Sequence, residues 1–350
     1  MRFIESVFQK LKRHPKRIVF PEGTEPRVLE AAGRFVRMQL GVPILLGDTE
    51  EVERKAGEYG INLSRIGIID PSKADDLPIL AKRLERLQRY RNIGAGDARE
   101  ILINPNYFAA MMIQHGLADG LVGGASQYAS SLLRPLIQIV KPLPGITTVS
   151  SCMMLEGHDS VFGAEGMLMF ADCAVVPEPT VDQLADIGIE TAKVCRQLTG
   201  IRPRVAFLSF STKGSSRLPA ASKMAAAAAL ARQKADTEKL DMEIDGEFQA
   251  DTALLPDLAA IKAPSSRVAG NANVLIFPDL NSGNISAKLV QHLGGAAAYG
   301  QVLLGLSRPA ADMSRGASVE DILGVAAIVG LQAIEYRKLY PEPEEELAHE

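Results

Sequence analysis

Short β-branched runs alternate with stretches of helical periodicity along the first third of the chain. RIVF (17–20) precedes PRVLEAAGRFVRMQ (26–39), PILLG (43–47) precedes EEVERKAGEYG (50–60), and RIGIID (65–70) precedes a charged helical stretch from Asp75 to Arg91. This alternation predicts βαβ units around a parallel sheet. ADGLVGGAS (118–126) reads as a brief strand running into a glycine-rich turn, and YASSLLRPLIQIV (128–140) has helical spacing. After Pro142, Pro144 and Gly145 the pattern restarts: ITTVSSCMML, ADCAVV, RVAFLSF and ANVLIFPDL read as strands, separated by alanine-rich helical segments at 181–199 and 220–235. From Val302 onward strand, loop and helix come once more. The expected fold is α/β, with two α/β domains of mainly parallel sheet flanked by helices. One domain is discontinuous, 1–149 plus 302–350, and the other spans 150–301.

Length supports that division, because 350 residues exceed what a single core usually organises. Hydrophobic residues at 47% and charged residues at 23% are ordinary globular proportions, and only the acidic tail PEPEEELAHE departs from them. A net charge of −4 argues against a nucleic-acid partner, since counterion release needs a basic face. An anionic ligand must therefore meet local arginines. Cys152, Cys173 and Cys195 show no CxxC spacing and read as buried reduced thiols. The N-terminal twenty residues interrupt their apolar positions with charge, so neither a signal peptide nor a membrane partner is expected, and the default location is cytoplasmic.

Candidate chemistry sits where strands end. In FPEGTEPRVLEAA (20–32) Thr24 is placed to cap a helix opening near Pro26. In GGASQYASSLLRP (123–135) Gly123 and Gly124 permit close backbone approach, and Ser130, Ser131 and Arg134 offer donors of the kind phosphate needs. LSFSTKGSSRLP (208–219) carries Lys213 and Arg217 and reads equally as a solvated loop or an anion site. DGEFQADTALLP (245–256) lacks the ligand ladder of a calcium loop and reads as a turn and helix cap. FPDLNSGNISAKLVQ (277–291) is strand, polar turn with Asn284, and helix with Lys288. Such loops point to a cleft between the two domains that accepts anionic groups. The five histidines form no HExxH and no GxSxG elbow is present, so metal hydrolysis and a covalent triad lose support. In DMSRGASVED (312–321) Ser318 suits a helix cap and Glu320 and Asp321 suit a helix N-terminus, yet a cap leaves Arg315 unexplained.

Taken together, VFPEGTEPRVLEAA, ADGLVGGAS, FADCAVVPEPT, RVAFLSFSTKGS, DGEFQADTALLP, KAPSSRVAGNANVLIFPDLNSGNISAKLVQ and DMSRGASVEDI resemble the phosphate acyltransferases, phosphate acetyltransferases most closely. The last two stretches carry most of that weight. The resemblance implies reversible acetyl transfer between coenzyme A and inorganic phosphate in a homodimer, with small-molecule substrates and no bound cofactor or metal. It makes Asp321 the base for the coenzyme thiol, Ser314 a hydrogen-bond partner of the sulfur, and Arg315 the holder of phosphate and oxyanion. It places Ser130, Ser131 and Arg134 at the phosphate and coenzyme end, with Asn284, Lys288 and His292 as further phosphate or coenzyme contacts. His292 stands where the family commonly has arginine, Gln301 where it has proline, and Ala317 where it has cysteine. A basic loop expected near 86–92 reads RLQRYRN, which leaves Arg86, Arg89 and Arg91 as equal candidates for the coenzyme. The same chemistry on a longer acyl chain, butyryl or propionyl, is the first alternative; a non-catalytic acyl-CoA sensor is the second.

Overall fold

The computed structural model describes residues 3–91, 97–143, 145–157 and 162–339, apart from the side chains of 89–91 and 335–339. Tertiary contacts divide the chain into two compact units, Met1–Lys141 with Leu306–Glu350, and Pro142–Gly305. The crossings lie at 141/142 and 305/306 rather than at 149/150 and 301/302. Hydrogen bonds set those limits: the Leu143 amide donates to the Gly305 carbonyl at 2.9 Å inside the second unit, and the Ser307 amide donates to the Lys141 carbonyl at 2.7 Å inside the first.

The first unit opens with α1 (Phe3–Arg13), β1 (Lys16–Phe20), α2 (Pro26–Arg37), β2 (Gly41–Leu46), α3 (Thr49–Glu58), β3 (Gly67–Ile69), α4 (Leu77–Arg91), α5 (Ala98–Leu102), α6 (Pro105–Gln114), β4 (Gly120–Gly123) and α7 (Ala129–Ile139). The second unit holds β5 (Ser150–Glu156), β6 (Met167–Ala171), α8 (Val181–Thr199), β7 (Arg204–Leu208), α9 (Pro219–Thr237), β8 (Glu243–Phe248), α10 (Ala250–Leu254), α11 (Pro256–Lys262), β9 (Val274–Ile276), α12 (Leu280–Leu293) and β10 (Ala297–Leu304). The chain then returns to the first unit as β11 (Ala310–Asp312) and α13 (Val319–Leu339).

In the first unit the strands lie in the order β3-β2-β1-β4-β11 and every pair is parallel. Ile18, Val19, Phe20, Leu121 and Val122 are all buried, as expected of strands covered on both faces. Helix α2 forms because Val28, Leu29, Ala32 and Phe35 recur at helical spacing and Pro26 occupies its first position. Its N-cap is Glu25, whose side chain makes no cap hydrogen bond, so Thr24 does not cap this helix. Gly120 lets α13 close on the sheet: a Cβ there would stand 2.4 Å from Val329 Cγ1.

In the second unit the order is β10-β5-β6-β9-β7-β8. Strand β5 runs antiparallel to both β10 and β6, while β6, β9, β7 and β8 are mutually parallel. The segment 157–166 joining β5 to β6 has no helix among its described residues, and such a connection returns the chain antiparallel rather than through a crossover. The strand expected at ADCAVV lies instead at Met167–Ala171, and residues 172–176 form a loop wound around one carboxylate. Asp172, 2% exposed, accepts from the amides of Ser151, Ala174, Val175 and Val176 and from the Ser151 hydroxyl. Gln301 joins this group, its carbonyl accepting from Ser151 Oγ at 3.3 Å. DGEFQADTALLP is not only a turn and cap: its first residues complete β8, pairing with β7. Phe170 and Phe277, 5.0 Å between ring centres, sit in the core of this unit with Met153, Leu208 and Phe248.

Candidate active site

Within the first unit, β1, β4 and β11 are neighbours, so the loops leaving their carboxyl ends are neighbours too, the usual place for a ligand in a parallel sheet. Those loops are 21–25, 124–128 and 313–318. They are stitched together by two side chains, Glu22 in the first loop and Arg27 just beyond it. Glu22, 6% exposed, accepts from the amides of Ala125 and Ser126 at 2.8 and 2.7 Å and from the Ser126 hydroxyl at 2.8 Å. Arg27 donates to the carbonyls of Arg315, Ala317 and Ala125, each at 2.8 Å, and to Glu25 at 2.7 Å.

The glycine-rich turn therefore serves the protein's own packing before any ligand. The amides of Ala125 and Ser126 are occupied by Glu22. Gly124 adopts φ +90°, and a Cβ there would stand 2.2 Å from Asp312 Oδ1. Close backbone approach at Gly124 admits Asp312 and Met313, the residues that lead into the third loop.

The third loop holds Ser314 and Arg315, and the helix it opens holds Asp321; these are the three residues to which the sequence resemblance gives catalytic roles. Ser314 Oγ accepts from the Gly316 amide at 3.3 Å, which tightens the turn. Arg315 is exposed, and its guanidinium carbon lies 4.7 Å from the centre of the Tyr128 ring. Ser318 and Asp321 form a reciprocal capping box on α13: Ser318 Oγ accepts from the Asp321 amide at 3.1 Å and Asp321 Oδ2 accepts from the Ser318 amide at 2.9 Å. Asp321 is thus half-buried and oriented, with Oδ1 outside the cap.

Tyr128 is the N-cap of α7, so its contact with Arg315 brings the guanidinium to the helix end that carries Ser130 and Ser131. Ser130, Ser131 and Arg134 are all exposed, and no acidic residue occupies that first turn. A helix N-terminus with exposed hydroxyls favours an anion. Arg134 also lines a cavity of about 210 Å3 with Gln88, Tyr107 and Gln138. Arg86 lies exposed on α4; the side chains of Arg89 and Arg91 lie outside the described residues.

In the second unit, Asn284, Lys288 and His292 recur every four residues and share one stripe of α12. Asn284 spends an amide N–H on the Cys173 carbonyl at 3.0 Å, and His292 is exposed. Lys213 is taken up by the protein itself, paired with Asp245 at 2.5 Å and lying 5.1 Å from the centre of the Phe248 ring. All three cysteines are free and buried. Burial raises each thiol, Cys195 to about 11, so none supplies a thiolate nucleophile. Among the described residues no group of His, Cys, Asp or Glu is placed to hold a metal ion, and no helix is long and apolar enough to cross a membrane.

The family model for phosphate acetyl/butaryl transferase matches residues 2–330. The chain belongs to the phosphate acetyl/butaryl transferase family. It is 41% identical over 333 residues to the phosphate acetyltransferase of Clostridium acetobutylicum, spanning 95% of this chain and 99% of that one. It is 43% identical over 333 residues to that of Thermoanaerobacterium thermosaccharolyticum, spanning 95% of this chain and 100% of that one. A phosphotransacetylase structure from Streptococcus pyogenes superposes with a TM-score of 0.86 at 39% identity, covering 95% of this chain and 99% of that one. As a phosphate acetyl/butaryl transferase family member, the protein is an acyltransferase.

Three side chains that build this candidate site carry no mark in the sequence: Glu22, Arg27 and Tyr128. Glu22 and Arg27 stand in the stretch read for its helix cap, and their partners lie about 100 and 290 positions further along the chain. A buried acid and a multiply bonded arginine at one strand end are a signal only once the loops are seen side by side.

Proposed function

We propose that the protein transfers an acetyl group reversibly between coenzyme A and inorganic phosphate by direct attack of the thiolate on acetyl phosphate. The observation that carries this reading is one short turn, 314–321, presenting a hydroxyl, a guanidinium and an oriented carboxylate beside the N-terminus of α7. Asp321 takes the thiol proton on Oδ1, the oxygen its cap does not use. The sulfur, hydrogen-bonded by Ser314, attacks the acetyl carbon. Negative charge that develops on the carbonyl oxygen meets Arg315, and the C–O bond to phosphate then breaks, leaving the acetyl thioester and free phosphate. The departing phosphate is received by Arg315 and by the Ser130 and Ser131 hydroxyls at the start of α7, with Arg134 on the coenzyme side. In the second unit, the α12 face bearing Asn284, Lys288 and His292 is the proposed contact for the coenzyme's phosphates.

Magnitudes agree with those roles. A thiol with a pKa of about 8.5 is only a few per cent ionised near neutrality, and a positioned base contributes roughly 100- to 10,000-fold. A fixed donor at the developing oxyanion is worth about 3 kcal/mol. No acyl-enzyme is needed, which suits a chain whose cysteines are buried as neutral thiols.

The test is coenzyme A-dependent consumption of acetyl phosphate, followed as thioester absorbance, with propionyl and butyryl phosphate alongside. Acetyl phosphate should give the highest kcat/KM, and Asp321→Asn should lower kcat roughly 100- to 10,000-fold with coenzyme A still bound. Near-normal turnover by Asp321→Asn would remove the proposed base. Binding of acyl-CoA with no turnover of any acyl phosphate by the unmodified protein would replace transfer with sensing.

A further inference from the structure

We propose that Arg27 is a positioning residue for the reaction: it fixes the backbone on both sides of Gly316 and thereby holds Arg315 where transferred charge develops. This rests on the role given to Arg315 above.

The guanidinium uses all three of its nitrogens. Nη1 donates to the carbonyls of Arg315 and Ala317, which flank Gly316; Nη2 donates to the Ala125 carbonyl; Nε donates to Glu25 Oε1. One planar group thus ties together the ends of three strands: its own loop after β1, the loop after β4 and the loop after β11. The partners matter as much as the number. Three are backbone carbonyls, so the tie acts on chain position and not on a side chain free to swing. Glu25, with its side chain only 19% exposed, supplies the balancing charge and aims the fork. Arg27 itself is 31% exposed in its side chain, a rim residue and not a core cation.

The turn needs such a tie. Beyond the Met313 amide, which meets the Gly123 carbonyl at 2.6 Å where the loop leaves β11, its own bonds are local: the Gly316 amide to Ser314 Oγ at 3.3 Å, the Ala317 amide to the Ser314 carbonyl at 2.9 Å, and the Ser318–Asp321 capping box. Gly316 has no side chain to pack, and a Cβ there would find only Ser314 Oγ, 3.9 Å away, within reach. The Arg315 side chain is exposed and rests on Tyr128, whose ring is itself exposed, so neither pins the other by burial. The carbonyl of Arg315, by contrast, is held from Arg27 at 2.8 Å. Lysine cannot reproduce this: an ammonium has no planar fork and cannot reach three carbonyls in two loops while facing Glu25.

Kinetics of Arg27→Gln, Arg27→Lys, Arg315→Ala and the Arg27→Gln/Arg315→Ala double variant test the idea, with thermal unfolding run on each. Loss of the tie should lower kcat roughly 10- to 100-fold, the scale of a displacement near 1 Å, in both Arg27 variants. The lysine variant keeps charge and stem length, so it carries the same cycle with Arg315→Ala if the glutamine variant precipitates. On the Arg315→Ala background the Arg27 change should cost less than about twofold, since a positioning residue has nothing left to position. A purely structural role would instead multiply with Arg315→Ala, and that outcome overturns the proposal while leaving the site intact. Full kcat in Arg27→Lys overturns it as well. If Arg315→Ala itself turns over normally, the role of Arg315 fails and the positioning role falls with it.

Discussion

Asp312 carries a carboxyl into the strand end that leads to Ser314 and Arg315, and it does so at a cost. It is 4% exposed, and its Oδ1 has no hydrogen-bond partner. Burial first, and the Glu22 carboxylate second, push its pKa from 3.8 up to about 7. The folded state therefore binds this proton more tightly than the unfolded chain does. Stability that is fully present below pH 3.8 is lost as the pH rises toward about 7, at up to roughly 1.4 kcal/mol per pH unit. Asp312→Asn removes the titration, so the melting-temperature difference, variant minus wild type, should rise from about pH 5 to about pH 8. A difference that stays flat across that range would mean Asp312 is ionised in the folded protein. Residue pattern alone leaves Arg315 without a reason in DMSRGASVED, and only the family resemblance proposes roles for Ser314, Arg315 and Asp321. Asp312 and Glu22 are not legible, since their pairing exists only where the ends of β1, β4 and β11 lie side by side.

At the scale of elements, the regular pieces obey local rules and the exceptions come from single polar groups. Helix α8 appears where its periodicity predicts, opened by the Thr180–Gln183 capping box and closed by Gly200 at φ +74°. The apolar run ADCAVV misleads for a physical reason: its one acid, Asp172, organises the backbone more strongly than the β-branched residues after it. Asp172→Ala would strand the buried amide and hydroxyl of Ser151 and the half-buried amides of residues 174–176, and should lower stability by roughly 3 kcal/mol or more. Thr180→Ala, which removes one exposed cap, should cost about 1 kcal/mol. Urea unfolding of both variants compares them; equal shifts in midpoint would show that the 172–176 loop relaxes to satisfy its own amides. The antiparallel placement of β5 is another feature that periodicity does not reveal, because a strand buried on both faces reads the same in either direction.

For the molecule as a whole, a discontinuous first unit is the main fact of the chain's organisation. A renewed strand, loop and helix from Val302 onward is visible in the sequence, but periodicity establishes neither a return to the first unit nor the point of crossing. Residues 302–304 still belong to β10, and only hydrogen bonding separates them from the residues beyond Gly305. Ile285, Leu289 and Leu293 leave an apolar stripe on α12 that is 56%, 51% and 84% exposed in one chain. Sedimentation equilibrium should return twice the 37.6 kDa chain mass, in keeping with the homodimer the sequence resemblance implies. A monomer at all concentrations would set aside the homodimer that the resemblance implies and leave that stripe facing solvent.

The same discontinuity sets an order of events during synthesis. When the ribosome has made every residue through Gly305, the second unit is fully encoded, while β4 still lacks the neighbour that β11 provides. Glu22 and Arg27 emerge early, and about 290 residues of translation separate Arg27 from the carbonyls it grips. A nascent chain halted anywhere before that point lacks the 314–321 turn to which the chemistry is assigned in the proposed function, so premature termination is expected to yield an inert product and not a partly active one.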